Sequence, residues 1–137
     1  MPRLNRILET ALYVDDLDRA RAFYEGKLGL APLFESGNLY AYDVGGQSVL
    51  LLFQRGSCLE SQVSPDGIIP PHDGSGPLHI AFAIDAEDLE PWERRLAELG
   101  IDIEGRRRWP RGGTSLYVRD PDGHLLEWVT PGLWTTY

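Results

Sequence analysis

The sequence contains one cysteine, few basic residues and no long apolar run, and each shortage excludes a class of protein. The single cysteine, Cys58, cannot form an internal disulfide and suits a reducing compartment, so we expect a cytoplasmic protein. No stretch approaches the roughly 20 apolar residues of a membrane span, and the N-terminus lacks a signal peptide's apolar region. The 21 acidic residues outnumber the 13 basic ones, and the net charge of −8 argues against a nucleic-acid partner.

What is present fits one globular domain. The chain has 137 residues, of which 42% are hydrophobic and 25% charged, so there is enough apolar material for a packed core. One basic run departs from the acidic background and consists of Arg106, Arg107 and Arg108, followed by Arg111. Such a run is usually a solvated loop, and the alternative is a site that attracts an anion.

The two halves of the chain repeat one pattern. The segments ETALYVDDLDRARAFYEGKLGL, from Glu9, and HIAFAIDAEDLEPWERRLAELGI, from His79, each run from a polar residue through an apolar strand to an acidic helix start. Apolar residues then recur at helical spacing, and both helices are predicted to end at glycine, Gly29 and Gly100. These apolar positions are Leu17, Ala20, Tyr24 and Leu28 in the first half and Leu89, Trp92, Leu96 and Leu99 in the second.

Three short strands are predicted after each helix, with hairpin turns at Gly45-Gly46 and Asp122-Gly123. The predicted strands are 33–36, 39–44 and 48–53 in the first half and 101–105, 114–118 and 124–130 in the second. The pattern predicts an α+β fold in which two paired βαβββ modules form a cupped mixed sheet. We expect a single domain, 1–137, with a first module at about 5–60, a Pro- and Gly-rich linker at 61–77 and a second module at about 78–132.

Strand alternation predicts which side chains line the cup. The bulky residues of each strand are expected to face the helices, which leaves the small and polar ones for the cup. The cup-facing residues are Glu9, Ala11 and Tyr13 in the first strand and His79, Ala81 and Ala83 in HIAFAI. Glu127 lies inside the apolar run HLLEWV, where a carboxylate is costly unless a cation or hydrogen bonds compensate it. Counted from the hairpin turns, its counterpart in the first half is Leu50.

Glu9, His79 and Glu127 together predict a site for one divalent metal ion. One imidazole and two carboxylates can hold such an ion and leave positions open for a substrate or water. These ligand types admit zinc, manganese, iron, nickel or magnesium and do not select among them. Taken singly, His79 is more often a hydrogen-bonded strand histidine and Glu9 a surface charge. In an enzyme, Glu9 or Glu127 would also be the catalytic proton-transfer base.

The remaining polar and aromatic candidates are predicted to contact a substrate or to play no part. The predicted substrate contacts are Tyr13, Trp109, Tyr117 and Arg111, the last as a group that steers an anion, although strand aromatics are more often core. His72, in the linker, is expected to be exposed. His124 follows a glycine turn and is expected to be a surface or turn residue that points away from the face of Glu127.

Three segments resemble the vicinal-oxygen-chelate (VOC) superfamily, which includes glyoxalases, bleomycin resistance proteins, fosfomycin resistance proteins and extradiol dioxygenases. They are ALYVDDLDRARAFYEGKLGL, GPLHIAFAI and LYVRDPDGHLLEW, and the similarity spans roughly residues 5 to 132. The resemblance implies paired βαβββ modules and a divalent metal that chelates vicinal oxygens of a small-molecule substrate. It also implies a homodimer, which in many relatives builds one site from two chains. The ligands that it carries over are Glu9, His79 and Glu127.

The ligand set departs from each named activity of that superfamily. The second half resembles fosfomycin-thiol transferases, which typically have histidine in place of Glu9. Glyoxalase I enzymes use four ligands, and Leu50 would leave one missing; extradiol dioxygenases use two histidines and one carboxylate. We therefore expect a metal-dependent enzyme of the lyase, isomerase or thiol-transferase type that acts on a small vicinal-oxygen substrate. The alternative is a metal-free drug-binding resistance protein of the bleomycin type, which the negative charge suits.

Overall fold

Each half of the chain folds into a mixed four-stranded sheet with one main helix, in a computed structural model that describes residues 1–137. The chain divides into two compact units, Met1–Ser75 and Gly76–Tyr137. The first contains β1 (Glu9–Val14), α1 (Leu17–Arg21), β2 (Ala31–Glu35), β3 (Leu39–Val44), β4 (Ser48–Gln54), β5 (Gln62–Ser64) and β6 (Gly67–Ile69). The second contains β7 (His79–Ala83), α2 (Leu89–Glu98), β8 (Gly105–Arg108), β9 (Thr114–Arg119) and β10 (Leu125–Val129).

The two sheets have the same topology. Their strand orders are β1-β4-β3-β2 and β7-β10-β9-β8. In each, the first strand pairs in parallel with the last, and the other pairs are antiparallel. The predicted α+β fold of two βαβββ modules is confirmed at this level. The segment predicted as a linker contains the short β5–β6 hairpin, whose residues are exposed.

The first unit buries one face of its sheet. Leu12 and Val14 of β1 and Leu50 and Leu52 of β4 are at most 2% exposed, because alternate residues of paired strands share a face. The helix above this face is capped at its N-terminus by Asp16, whose side chain accepts a hydrogen bond from the Arg19 amide at 3.1 Å. The same alternation turns Glu9, Ala11 and Tyr13 to the opposite, open face.

The first helix does not remain α-helical up to Gly29, as predicted. After Arg21 it continues as a π-helical turn, Ala22–Lys27, in which the Leu28 amide donates to the Phe23 carbonyl five residues back. The wider turn allows the adjacent rings of Phe23 and Tyr24 both to be buried, with their centroids 5.1 Å apart. The spacing of apolar residues therefore predicted which side of the helix is buried, but it did not predict the π-helical turn.

The second helix ends as predicted, whereas the strand after it begins later than predicted. Gly100 (φ +71°) donates to the Ala97 carbonyl and Ile101 to the Leu96 carbonyl, which together form a Schellman motif. Ile101 is buried as part of this cap, so its alternation with Ile103 does not mark a strand. The prediction of a strand at 101–105 was wrong, because β8 begins at Gly105 and contains the arginine run.

The helices are short. The longer one, α2, has ten residues, and no helix in the structure has the length and apolar character needed to cross a lipid bilayer.

Candidate metal centre

Two of the three predicted metal ligands lie on the open face of the second sheet, the face turned away from α2. His79 begins β7 and Glu127 lies in the middle of β10. The parallel register pairs His79 with Leu125, two positions before Glu127, so both side chains leave the sheet on the same side. Trp128 points to the opposite face, where its ring centroid is 5.4 Å from that of Trp92 in α2.

The imidazole of His79 is oriented by the backbone of the neighbouring strand. Its Nδ1 lies 2.9 Å from the Leu125 carbonyl oxygen, and its Nε2 lies 3.3 Å from Oε1 of Glu127. A carbonyl only accepts hydrogen bonds, so Nδ1 carries a proton and the neutral ring has its lone pair on Nε2. This tautomer is the one in which Nε2 can bind a metal ion while Nδ1–H is held by a second group.

The carboxylate of Glu127 is buried and held by hydrogen bonds. Its side chain is 6% exposed, against 49% for that of His79. The hydroxyl of Ser115, on the adjacent strand β9, donates to Oε2 of Glu127 at 2.5 Å. That hydroxyl accepts in turn from Nε1 of Trp109 at 2.8 Å. Sequence reasoning missed Ser115, although its alternation with Tyr117 in β9 places the two on one face.

Tyr117 lies directly opposite Glu127 in the β9–β10 pairing. Burial raises the pKa of Tyr117, and the charge of Glu127 raises it further. A hydrogen bond with Ser115 lowers it, a hydrogen bond with Glu127 raises it, and the charge of Arg107 lowers it; the net shift is upward. The phenol therefore stays protonated at neutral pH and can act as a donor. Its ring centroid is 6.4 Å from that of His79.

The arginine run is divided between the two faces of β8. Arg106 points to the helix side, where it forms an ion pair with Glu93 of α2 at 2.5 Å. Arg107 points to the open face, and its guanidinium lies 5.0 Å from the ring centroid of Trp109. Arg111 is exposed in the turn between β8 and β9. The cation that shares the face of Glu127 within this run is thus Arg107.

The third predicted ligand, Glu9, belongs to the first unit, where it is exposed and pairs with Val49. His79 pairs with Leu125 at the equivalent point of the second unit, so the counterpart of Glu127 is Leu51. The prediction of Leu50 as that counterpart was wrong, because Leu50 is 2% exposed and faces the first unit's core. Leu51 has no ligand atom, so the first sheet offers no equivalent of Glu127.

Tyr13 shares the open face of the first sheet with an aromatic cluster. Its hydroxyl lies 2.6 Å from Nδ1 of His72, and both rings pack against Phe53. The expectation that His72 is exposed was therefore wrong, since its ring is half-buried in this cluster. A linker histidine gives no sequence signal for such a contact.

His124 lies at the turn, which is one of the two expected positions, and it is not a surface residue. It is fully buried, its Nδ1 accepts from the Leu78 amide at 2.9 Å, and its own amide donates to the Asp120 carboxylate at 2.8 Å. Asp120 also binds the Asp122 amide, so the two side chains brace the turn between β9 and β10. The role of His124 is to fix the strand that carries Glu127.

The donor set of the second unit suits a divalent ion. His79 offers an oriented nitrogen and Glu127 offers Oε1, and each ligand's other polar atom is held by a protein group, as is usual for metal ligands. No group of three or more His, Cys, Asp or Glu side chains in the chain is arranged to hold an ion. A divalent ion held by this pair would therefore need at least one further ligand.

Two βαβββ units, one with an imidazole and a carboxylate side by side on its open face, define a glyoxalase-like α+β protein. The chain belongs to the Glyoxalase/Bleomycin resistance protein/Dioxygenase superfamily, whose family model matches residues 6–128. The family resemblance read from the sequence is thereby confirmed.

Relatives with specified activities are similar over most of the chain. Metallothiol transferase FosB of Shouchella clausii (strain KSM-K16) is 35% identical over 126 residues, which cover 90% of this chain and 79% of that protein. Glutathione transferase FosA of Serratia marcescens is 32% identical over 124 residues, with the same coverage. The crystal structure of lactoylglutathione lyase from Agrobacterium tumefaciens is 35% identical, with a TM-score of 0.88 over 98% of this chain and 99% of that one.

Proposed function

We propose that the protein is a divalent-metal-dependent enzyme that transfers a thiol to a small substrate with neighbouring oxygen atoms. The observation that carries the proposal is the pair formed by Nε2 of His79 and Oε1 of Glu127, 3.3 Å apart. The similarity to a metallothiol transferase and a glutathione transferase supports the choice of reaction class. The similarity to lactoylglutathione lyase makes isomerisation of a thiol adduct the nearest alternative within the same class of enzyme.

We propose His79, Glu127 and Glu9 as the ligands of the ion. When bound, a divalent ion polarises substrate oxygens and stabilises negative charge that develops on them. Zinc, manganese, iron, nickel and magnesium all accept such ligands. Glu9 is the ligand supplied by the first unit, and we propose that residues 1–137 form one domain that assembles as a homodimer with shared sites.

The neighbouring side chains suit an anionic, oxygen-rich substrate. In the proposed transfer, the thiol sulfur bonds to a carbon that bears oxygen, the carbon–oxygen bond breaks, and the thiol proton ends on the released oxygen. Tyr117, protonated at neutral pH, is a donor for an oxygen held beside Glu127. Arg107 in β8 and Arg111 in the turn after it supply positive charge, and Trp109 in the same turn supplies an aromatic ring for substrate contact.

The metal requirement is tested by elemental analysis of the purified chain. We expect about one divalent ion per chain after reconstitution, and loss of that ion in His79→Ala and Glu127→Ala, because each removes one of few ligands. Glu104→Ala is the matched control, since it removes an exposed carboxylate of the same unit that pairs only with Arg119 among the described ion pairs. A wild-type chain that binds no ion would rule the proposal out.

Turnover is assayed with fosfomycin plus glutathione or cysteine, and with S-lactoylglutathione as the lyase probe.

Metal-free drug binding is the second candidate. It is favoured by the net charge of −8 and by the open-face cluster of Tyr13, Phe53 and His72, which offers aromatic surface to a cationic drug. Calorimetric titration with bleomycin in the presence of a chelator separates the two functions. Binding that persists without metal, in a chain with no turnover, would support sequestration over catalysis.

A further inference from the structure

We propose that Ser115 and Trp109 are positioning residues that select which oxygen of Glu127 faces the metal. The inference rests on the proposed function, because it assigns a purpose to groups around the proposed ligand pair. Three atoms carry it: Nε1 of Trp109, Oγ of Ser115 and Oε2 of Glu127, joined by contacts of 2.8 and 2.5 Å.

The direction of these hydrogen bonds follows from the groups themselves. An indole N–H can only donate, so Oγ of Ser115 must accept from Trp109. A serine hydroxyl has one proton, and both the Tyr117 hydroxyl and the Glu127 carboxylate are within its reach. A charged carboxylate is the stronger acceptor of the two, so the proton is directed to that group. That acceptor is Oε2 of Glu127, so the chain of donors runs from indole to hydroxyl to carboxylate.

The arrangement leaves the two oxygens of Glu127 in different environments. Oε2 accepts from a fully buried hydroxyl, while Oε1 is turned toward Nε2 of His79. A carboxylate held in this way presents Oε1 as a single ligand atom. Without Ser115 the hydroxyl that holds Oε2 would be lost, and either oxygen of Glu127 could then serve as the ligand.

The indole is itself held in place by the turn between β8 and β9. The Trp109 amide donates to the Gly113 carbonyl at 2.8 Å, and the Gly112 amide donates to the Trp109 carbonyl at 2.9 Å. Arg107 covers one face of the ring. The position of Trp109 is thus fixed on its backbone side and on its ring side, as a group that orients another must be.

The affinity of the full-length protein for a divalent ion, measured by titrating the metal-depleted chain, tests the proposal. We expect Ser115→Ala to weaken Mn²⁺ or Zn²⁺ binding by roughly 10- to 100-fold in calorimetry, as loss of an outer-shell partner typically does. Trp109→Phe keeps the ring, loses the N–H and should weaken binding less. Ser115→Thr keeps a hydroxyl and should restore most of the affinity. Ser48→Ala is the matched control, because it removes a strand hydroxyl of the first unit that bonds only to the Val44 carbonyl in the described contacts.

Nuclear magnetic resonance of the metal-free protein gives a readout that does not depend on metal. Ser115→Ala should shift the Trp109 indole N–H resonance, assigned by its disappearance in Trp109→Phe, and the Glu127 carboxyl carbon resonance. Unmoved resonances, or an unchanged metal affinity in Ser115→Ala, would overturn the positioning role. If the wild-type chain binds no ion, the proposed function fails, and the resonances alone then decide whether Ser115 and Trp109 orient Glu127.

Discussion

At the residue scale, the candidate centre is defined by the contrast between its two ligands. His79 is half exposed and is tied by one nitrogen to the backbone, whereas Glu127 is buried and is tied by one oxygen to Ser115. Burying a carboxylate without compensation is costly, and here hydrogen bonds from side chains on β9 provide that compensation. The carboxylate of Glu127 is therefore held in place by the protein itself, whereas the imidazole of His79 is accessible to solvent.

Tyr117 allows substrate binding to be tested apart from metal binding. We expect Tyr117→Phe to lower kcat/KM about tenfold, the effect of one lost hydrogen bond, while the metal content stays at the wild-type level. The measurement pairs steady-state kinetics on the active probe with elemental analysis. Tyr40→Phe is the control, since its hydroxyl contacts Asp18 in the first unit at 3.4 Å. Unchanged kinetics in Tyr117→Phe would count against the substrate contact.

The sequence predicted that His79 and Glu127 share one face, and it did not predict which groups hold them there. His79 and Glu127 stand out because each is a polar residue within an apolar strand pattern, and strand alternation then places them on one face. Ser115 gives no comparable signal, because a serine in a strand is unremarkable until the register shows what it faces. The prediction that Leu50 is the counterpart of Glu127 was wrong by one position, because the counterpart is Leu51. In a strand, a shift of one position moves a side chain to the opposite face of the sheet.

At the element scale, two glycine-containing segments of the second unit pack backbone to backbone. The Gly113 amide donates to the Gly132 carbonyl at 3.2 Å. A Cβ on Gly113 would lie 2.8 Å from the Gly132 carbonyl carbon, closer than real contacts allow. The chain after β10 is thereby held against the turn that carries Trp109.

Gly113→Ala tests this contact. The added methyl must displace backbone, and we expect a loss of about 1–3 kcal/mol in the free energy of unfolding, measured by urea denaturation. Gly37→Ala is the matched control, because a Cβ there would meet nothing within 4 Å and the position has no positive φ. Equal stability of the two variants would contradict the close packing. The displaced turn should also weaken metal binding, in line with the role proposed for Trp109.

Element types were easier to predict than element ends. Hairpins at Gly45-Gly46 and Asp122-Gly123 and the strands beside them follow directly from alternation and turn residues, and the structure has them. The π-helical turn after Arg21 and the late start of β8 were missed. Both depend on how neighbouring side chains pack, Phe23 with Tyr24 and Ile101 beneath its helix, and a single-sequence pattern does not contain that packing.

At the scale of the whole molecule, the repeat supplies two similar units and only one imidazole–carboxylate pair. The first unit presents Glu9 at the position of His79 and Leu51 at the position of Glu127. Neither unit therefore presents all three of the proposed ligands on its own open face. In a homodimer, the first unit that completes a given site can come from the same chain or from the partner.

Mixed dimers distinguish these two arrangements. We expect Glu9→Gln and Glu127→Gln homodimers each to bind no ion, and the heterodimer, purified through two different tags, to bind about one. In a shared site, one of the two heterodimer sites contains both defects and the other contains neither. A heterodimer without metal would place Glu9 and Glu127 of one site in the same chain. A wild-type chain that elutes as a monomer in size-exclusion chromatography with light scattering would contradict the dimer itself.

The alanines of β7 make the open face of the second unit asymmetric, because the side chains on the two sides of Glu127 differ in chemistry. On the β7 side of Glu127 lie Ala81 and Ala83, which offer only methyl groups. On the β9 and β8 side lie Tyr117 and Arg107, which offer a phenol and a positive charge. A chiral molecule anchored through its oxygens meets hydrocarbon on one flank and polar donors on the other. Two enantiomers that contacted both flanks would meet them differently, so a face built in this way is able to tell them apart.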